Sequence, residues 1–256
     1  MKNTEYDIAC PEIKSKVLVV GVYLANTQNS VEHVVCELFK TKKYAVKQKW
    51  VAINGKAPSR AVQQVTIKRV NGFIPKFVLL NRLLSDECLE QYDYVLLCDD
   101  DIRFCPEFLD TFLGMQCKFD FALAQPARTH NSYIDHPLVE QVDGLCARRT
   151  RFVEIGPVVS IRRDILPHLF PFDERTPMGW GLDFVWPVIV ERFALRMGIV
   201  DLTPVDHSMR KPVDNYSYNT ARAQMDSYLL ENTHLSQQEA FCVLEQYLNI
   251  PGENTL

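Results

Sequence analysis

Two short apolar runs constrain this chain more than any other feature. Val17-Leu18-Val19-Val20-Gly21-Val22 and Tyr94-Val95-Leu96-Leu97-Cys98 are continuous, with no polar residue breaking them. A strand exposed on one face alternates apolar with polar residues. A strand without alternation is buried on both faces. Helices packed on the two sides of a sheet supply that burial, so the runs predict a layered α/β structure.

The segments between them agree. Asn29-Ser30 offers a helix cap before Val31, Val34, Val35, Leu38 and Phe39, which recur at helical spacing. Strands are expected over 45–53, 65–70 and 119–124, and helices over 75–89 and around Phe108, Phe112 and Met115. Strands alternating with helices up to Ala124 imply βαβ units and a mainly parallel sheet. Beyond Gln125 the pattern changes. Residues 126–150 read as a long polar loop carrying Arg128, His130, Tyr133, Asp135, His136, Arg148 and Arg149, with Arg151 just beyond. Residues 153–161 read as a strand interrupted by Gly156-Pro157. Ser236 and Glu239 form a capping box that opens an amphipathic helix predicted over 236–250. The expected division is a tail at 1–14, one α/β domain at 15–220 and a C-terminal helical extension at 221–256.

Composition excludes some partners. A net charge of -4 removes the bulk electrostatic case for nucleic-acid binding. Eight scattered cysteines without a Cys-x-x-Cys pair read as free thiols, which points to a reducing cytoplasm. The first residues lack an apolar signal core and no stretch approaches 18 apolar residues, so any membrane association is expected to be peripheral.

Three segments carry chemistry. Asp99-Asp100-Asp101 follows the second apolar run directly. In an open α/β sheet, ligands gather at the carboxyl ends of strands. Carboxylates crowded there call for positive charge, and Asp99 with Asp101 can share a hard cation. The plainer reading is a solvated acidic turn before a helix. Gly179-Trp180-Gly181-Leu182-Asp183 comes next. Its glycines admit a ligand near the backbone, its indole suits a sugar face, and Asp183 can accept a hydroxyl proton. A Gly-rich turn with a core Trp explains the same residues. His207-Ser208-Met209-Arg210 is third: an imidazole able to complete a metal site and a guanidinium able to neutralise a diphosphate. Tyr23, just past the first run, is placed to stack on a nucleobase, or at the edge of the core.

In this order the segments resemble glycosyltransferases of the GT-A fold. The pattern is nearest to galactosyl- and N-acetylgalactosaminyltransferases. Asp99-Asp100-Asp101 resembles their Asp-x-Asp, Gly156-Pro157-Val158-Val159-Ser160 their Gly-Gly-Val-Ser strand, and Gly179-Trp180-Gly181-Leu182-Asp183 their Gly-Trp-Gly-Gly-Glu-Asp. Asn71-Gly72-Phe73-Ile74-Pro75-Lys76 is similar to their Asn-x-Gly-x-x-x-Lys region. The resemblance spans roughly 15–215 and extends loosely to an uncharacterised glycosyltransferase-like family. The usual Glu-Asp pair is reduced to Asp183 followed by Phe184.

The resemblance implies a Rossmann-like, mixed but mainly parallel sheet flanked by helices. It implies Mn²⁺, or Mg²⁺, on Asp99, Asp101 and His207. A nucleotide-sugar donor, a UDP-sugar first of all, would meet Tyr23, Asn71, Lys76, Asp99, Asp100 and Arg210. A glycan or other hydroxyl acceptor would lie on Gly179, Trp180, Gly181 and Asp183, with Asp183 as base. Two other classes compete. A nucleotidyltransferase would carry a basic, Gly-rich loop after the first strand, whereas Gly21 to Asn26 has one glycine and no Lys or Arg. A degenerate, non-catalytic sugar- or nucleotide-binding module would explain the missing acid.

Overall fold

A computed structural model describes residues 14–211 and 216–249. Strand β1 (Ser15–Leu24) is followed by helix α1 (Val31–Leu38), β2 (Tyr44–Ile53), α2 (Arg60–Val65), β3 (Thr66–Val70), α3 (Lys76–Ser85), β4 (Tyr94–Cys98), α4 (Phe108–Lys118) and β5 (Phe121–Arg128). After β5 come β6 (Leu145–Thr150), β7 (Val158–Arg162), α5 (Leu166–Leu169), α6 (Leu182–Arg192), β8 (Arg196–Val205), α7 (Tyr218–Glu231), α8 (Gln237–Ala240) and β9 (Val243–Leu248).

The strands form one sheet in the order β3-β2-β1-β4-β7-β5-β8-β6-β9. β3, β2, β1 and β4 run parallel to one another, and β5 runs parallel to β8. β7 is inserted antiparallel between β4 and β5, and β6 is antiparallel to β8 and β9. The sheet is therefore mixed.

The unbroken apolar runs behave as two-faced strands. Val17, Val19 and Leu96 pack on one side with Val34, Val35 and Leu38 of α1 and Phe108, Phe112 and Leu113 of α4. Leu18, Val20, Val95 and Leu97 pack on the other with Phe77, Leu80 and Leu84 of α3 and Trp186 and Val190 of α6. Alternate residues of a strand point to opposite faces, so each run feeds both cores. Each such side chain contributes about 1.5–3 kcal/mol on full burial. Among the described residues, no helix is long and apolar enough to cross a membrane.

Two sequence expectations change. The segment 126–150 is not one loop: β5 runs on to Arg128 and β6 occupies Leu145–Thr150. The Ser236–Glu239 capping box forms, but its helix ends at Ala240 and the chain continues as β9 (Ile250 lies outside the described residues). Leu244, Tyr247 and Leu248 sit at helical spacing, yet the open edge of β6 captures the segment. Tyr247 then stacks on Phe119 with ring centroids 4.0 Å apart, and Glu245 pairs with Arg149 at 2.5 Å. A tertiary edge overrides a local pattern of this kind readily. The helix of this region is α7, which lies over the turn that precedes α6.

Candidate functional site

β1, β4, β5 and β8 point the same way, so their carboxyl ends share one edge of the sheet. β7 is reversed, and its first residue, Val158, faces Cys98 at the end of β4. The approach to β7, Glu154 to Pro157, therefore arrives at the same edge as the acidic triplet.

Each triplet carboxylate faces a cation. The Asp99 carboxylate lies 2.5 Å from Lys76 Nζ at the start of α3. Asp100 is paired with the Arg210 guanidinium and accepts the Leu24 N–H at 2.7 Å. Asp101 is divided: one oxygen lies 3.0 Å from Arg210, the other 3.4 Å from His207 Nε2. The backbone of the turn is held as firmly. Asp99 N–H donates to Pro157 O at 2.8 Å, and the Ser30 hydroxyl bridges the carbonyls of Asp100 and Ile102 at 2.8 and 2.6 Å. Burial pushes Asp100 up to about 6, and the Arg210 guanidinium pulls against that rise. Burial also opposes the Asp101 charge, but His207 and Arg210 together hold it at about 2.

Asp101 and His207 fit two ligands of one divalent cation. Metal–ligand bonds of ~2.1 Å at near right angles put neighbouring donors ~3 Å apart. Asp99 turns to Lys76 instead, and no group of three or more such donors occurs among the described residues. Two protein donors of an octahedral six would leave the other positions to water and phosphate oxygens.

A second polar group lies beside the first, and Glu154 is the member of it that the sequence reading did not single out. Arg128 is 4% exposed and pairs with Glu154, which is equally buried. Arg128 also donates to the carbonyls of Tyr133 at 2.7 Å and Gly156 at 3.3 Å. A Cβ on Gly156 would stand 3.1 Å from Asp99, so this arginine spans the two groups. The second Glu154 oxygen meets His136 Nδ1 at 2.5 Å. Asp183, in the first turn of α6, is 8% exposed, and its Oδ1 is buried with no hydrogen-bond partner among the described residues. Burial pushes Asp183 up to about 7; the His136 charge opposes this and the Glu154 charge adds to it.

Gly179-Trp180-Gly181 forms the turn into α6. Gly179 has φ +87° and a Cβ there would meet the Phe77 ring at 2.2 Å, so only glycine fits. Pro177 O accepts the Phe77 N–H at 3.0 Å, tying this turn to the helix that carries Lys76. Trp180 is half-buried, and its indole N–H donates to the Tyr216 hydroxyl at 3.1 Å. Tyr216 in turn feels the charges of Asp99 and Asp135, which places it between the triplet and the loop after β5.

Other expectations move. Tyr23 is fully buried in the core with its hydroxyl 2.9 Å from Thr66, so its ring is not open to a nucleobase. Arg210 faces carboxylates of the triplet rather than open solvent. Asn71 is exposed in the loop before α3. Arg148, read as part of a polar loop, lies on β6, is 3% exposed and holds Asp201 at 2.9 Å.

No protein-family model matches the sequence, and no curated protein matches it. Solved structures do match in fold. A crystal structure of GalNAc-T7 with UDP, GalNAc and Mn²⁺ superposes with a TM-score of 0.51 at 11% identity, over 80% of this chain and 44% of that one. A crystal structure of S. aureus TarS gives 0.52 at 12% identity, over 87% of this chain and 41% of that one. This chain thus spans less than half the length of either. Both are GT-A glycosyltransferases, and this chain has the GT-A fold.

Proposed function

We propose that this chain is a glycosyltransferase that moves a sugar from a nucleoside-diphosphate sugar, a UDP-sugar first of all, to a hydroxyl acceptor. The observation that carries the reading is the paired acidic triplet at the carboxyl edge of a GT-A sheet, with Asp101 and His207 spaced for one cation. GalNAc-T7, with the same fold, was crystallised with UDP, GalNAc and Mn²⁺. No disulfide joins the described cysteines, which suits the cytoplasm we assign to the chain.

Roles follow from position. Asp101 and His207 would hold Mn²⁺ or Mg²⁺, which when bound neutralises charge growing on the diphosphate leaving group. Asp99 and Lys76 form a pair that can open toward a ribose hydroxyl and a phosphate. Arg210 keeps Asp100 ionised and supplies a further positive charge. Gly179, Trp180 and Gly181 wall the acceptor side. Asp183, buried, unpartnered at Oδ1 and poised near neutral, takes the proton of the attacking hydroxyl, as a base with a pKa near the working pH should.

Thermal stabilisation by UDP, measured with and without Mn²⁺, tests this. Ligand at 100 times its Kd adds about 2.7 kcal/mol to the folded state. Wild type is expected to show a Mn²⁺-dependent shift that Asp101→Asn loses while keeping its own cooperative melting transition. Equal shifts in both proteins, or none in wild type, refute the reading.

A further inference from the structure

The turn that carries Trp180 adjoins a groove to which no role has yet been given. The segment leading into Gly179, with Arg175, Pro177 and Met178, forms one wall, and α7 forms the other. A cleft of about 310 Å³ lies between Phe73, Met178, Tyr216 and Thr220. A wider one of about 590 Å³ continues along α7 to Arg175 and Glu231. Thr220 and Gln224 line both, so the two adjoin. Packing holds α7 against the turn: a Cβ on Gly181 would stand 3.1 Å from Met225 and 3.3 Å from Tyr228 and Leu229. At the near end the Tyr216 hydroxyl accepts the Trp180 indole N–H. The exposed Tyr218 ring stands edge-on to the same indole with centroids 5.2 Å apart.

The lining has a definite chemistry. Thr220, Gln224, Ser227 and Glu231 recur at i, i+4, i+7 and i+11, which makes one stripe of α7 ~16 Å long. Its amide and hydroxyl groups are uncommitted. Among the described residues, no protein group hydrogen-bonds the side chains of Gln224 or Ser227, or of Asn219 beside them. The charges of α7 lie elsewhere or cancel. Arg222 pairs with Asp226 at 3.0 Å, away from the stripe. The charged lining residues, Arg175 and Glu231, pair with each other. A lining without net charge attracts neither a polyanion nor a basic peptide. Amides and hydroxyls beside aromatic rings suit a neutral, hydroxyl-rich chain, whose ring faces stack while its hydroxyls find partners.

We propose that this groove holds the trailing sugars of the acceptor, which is a neutral oligosaccharide rather than a single sugar. The proposal rests on the transfer reading above and adds the chemical class of the acceptor. The reacting end lies at Trp180. The chain then passes Tyr216 and Thr220 and follows Gln224 and Ser227 along α7, with the exposed Phe73 ring at the lip. Contacts this far from the reacting bond hold substrate and transition state alike. They therefore lower KM and leave kcat nearly as it is.

The experiment puts the full chain, with Mn²⁺ and UDP, on an array of neutral glycans graded in length from single sugars upward. Acidic glycans and uncharged peptides rich in Ser and Thr are printed beside them. Wild type should be retained by neutral oligosaccharides and not by the single sugars that end them. The retained glycans then serve as acceptors with a panel of UDP-sugars. Ser227→Trp fills the groove, whereas Arg222→Trp adds the same bulk on the charged side of α7. Ser227→Trp should lose array retention and raise the acceptor KM about 10-fold, in KM rather than kcat, while the Mn²⁺-dependent UDP shift persists. Arg222→Trp should behave as wild type. Retention that ignores chain length overturns the proposal, as do equal losses in the two variants. Retention on peptides or acidic glycans in place of neutral ones also overturns it. UDP binding with no neutral glycan retained sinks the groove and leaves the transfer reading standing. Absence of a UDP shift in wild type defeats the transfer reading, and the acceptor role of the groove with it.

Discussion

Asp183→Asn removes a buried charge while keeping shape and most hydrogen bonding, so it isolates what that charge costs the fold. In the folded state the Asp183 carboxyl is raised from an ordinary 3.8 to about 7. A raised acid is at its most stabilising below the unfolded value, where both states are protonated. Its contribution falls as pH climbs from ~4 to ~7 and is flat above. The gap is roughly three pH units at about 1.4 kcal/mol each, or about 4 kcal/mol at pH 8. The Asn variant has no such loss. Relative to wild type it should match at pH 4 and gain steadily to about 4 kcal/mol at pH 8, roughly 10 °C in Tm for a domain of this size. Thermal melts at half-unit pH steps read the difference curve. A constant offset between the two proteins, or a gain confined to acid pH, refutes the assignment of Asp183 as a buried, near-neutral carboxyl. The same variant should lose ~10²–10⁴-fold in turnover with UDP binding intact, the usual share of a general base.

Arg148→Met strands Asp201 without its partner in the interior and should cost about 3–5 kcal/mol, read by urea unfolding; a change under 1 kcal/mol would show that Asp201 finds another donor. Gly179→Ala must displace the Phe77 ring and adopt φ +87°, so it should lower Tm by several degrees and weaken UDP stabilisation together, because the same turn is bonded to the helix carrying Lys76. A variant with wild-type Tm would mean that the turn and Phe77 move freely.

The sheet was legible because its central strands have no polar face to hide. Val17–Val22 and Tyr94–Cys98 admit one kind of environment, and the triplet after the second run then had to lie at the carboxyl edge. The pairing of Asp101 with His207 needed the return of β8 to that edge, which only the order of motifs suggested. Lys76 on Asp99 and Arg210 on Asp100 are contacts between residues 23 and 110 positions apart, and no local period records them. Glu154 was passed over: it is a lone acid in an otherwise apolar stretch from Phe152 to Val159, and its meaning comes from Arg128 and His136 on the far side of a loop. The final strand was misread for the opposite reason, a clear helical spacing outweighed by an unpaired strand edge.

The reversed strand β7 has a consequence for how such a site changes over time. The triplet ends β4 and the Glu154 arm begins β7, so the distance between the two polar groups is set by a single ladder in which Cys98 faces Val158. A one-residue slip there would send Val159 and Ile161 into the opposite core, where Val158 packs, and mismatch the packing on both faces. A two-residue slip keeps every face and moves the arm about 7 Å along the triplet strand. That ladder works as a ruler with coarse graduations. Acceptors of different reach can be accommodated in whole steps by re-registering one short strand, without altering the residues at either end.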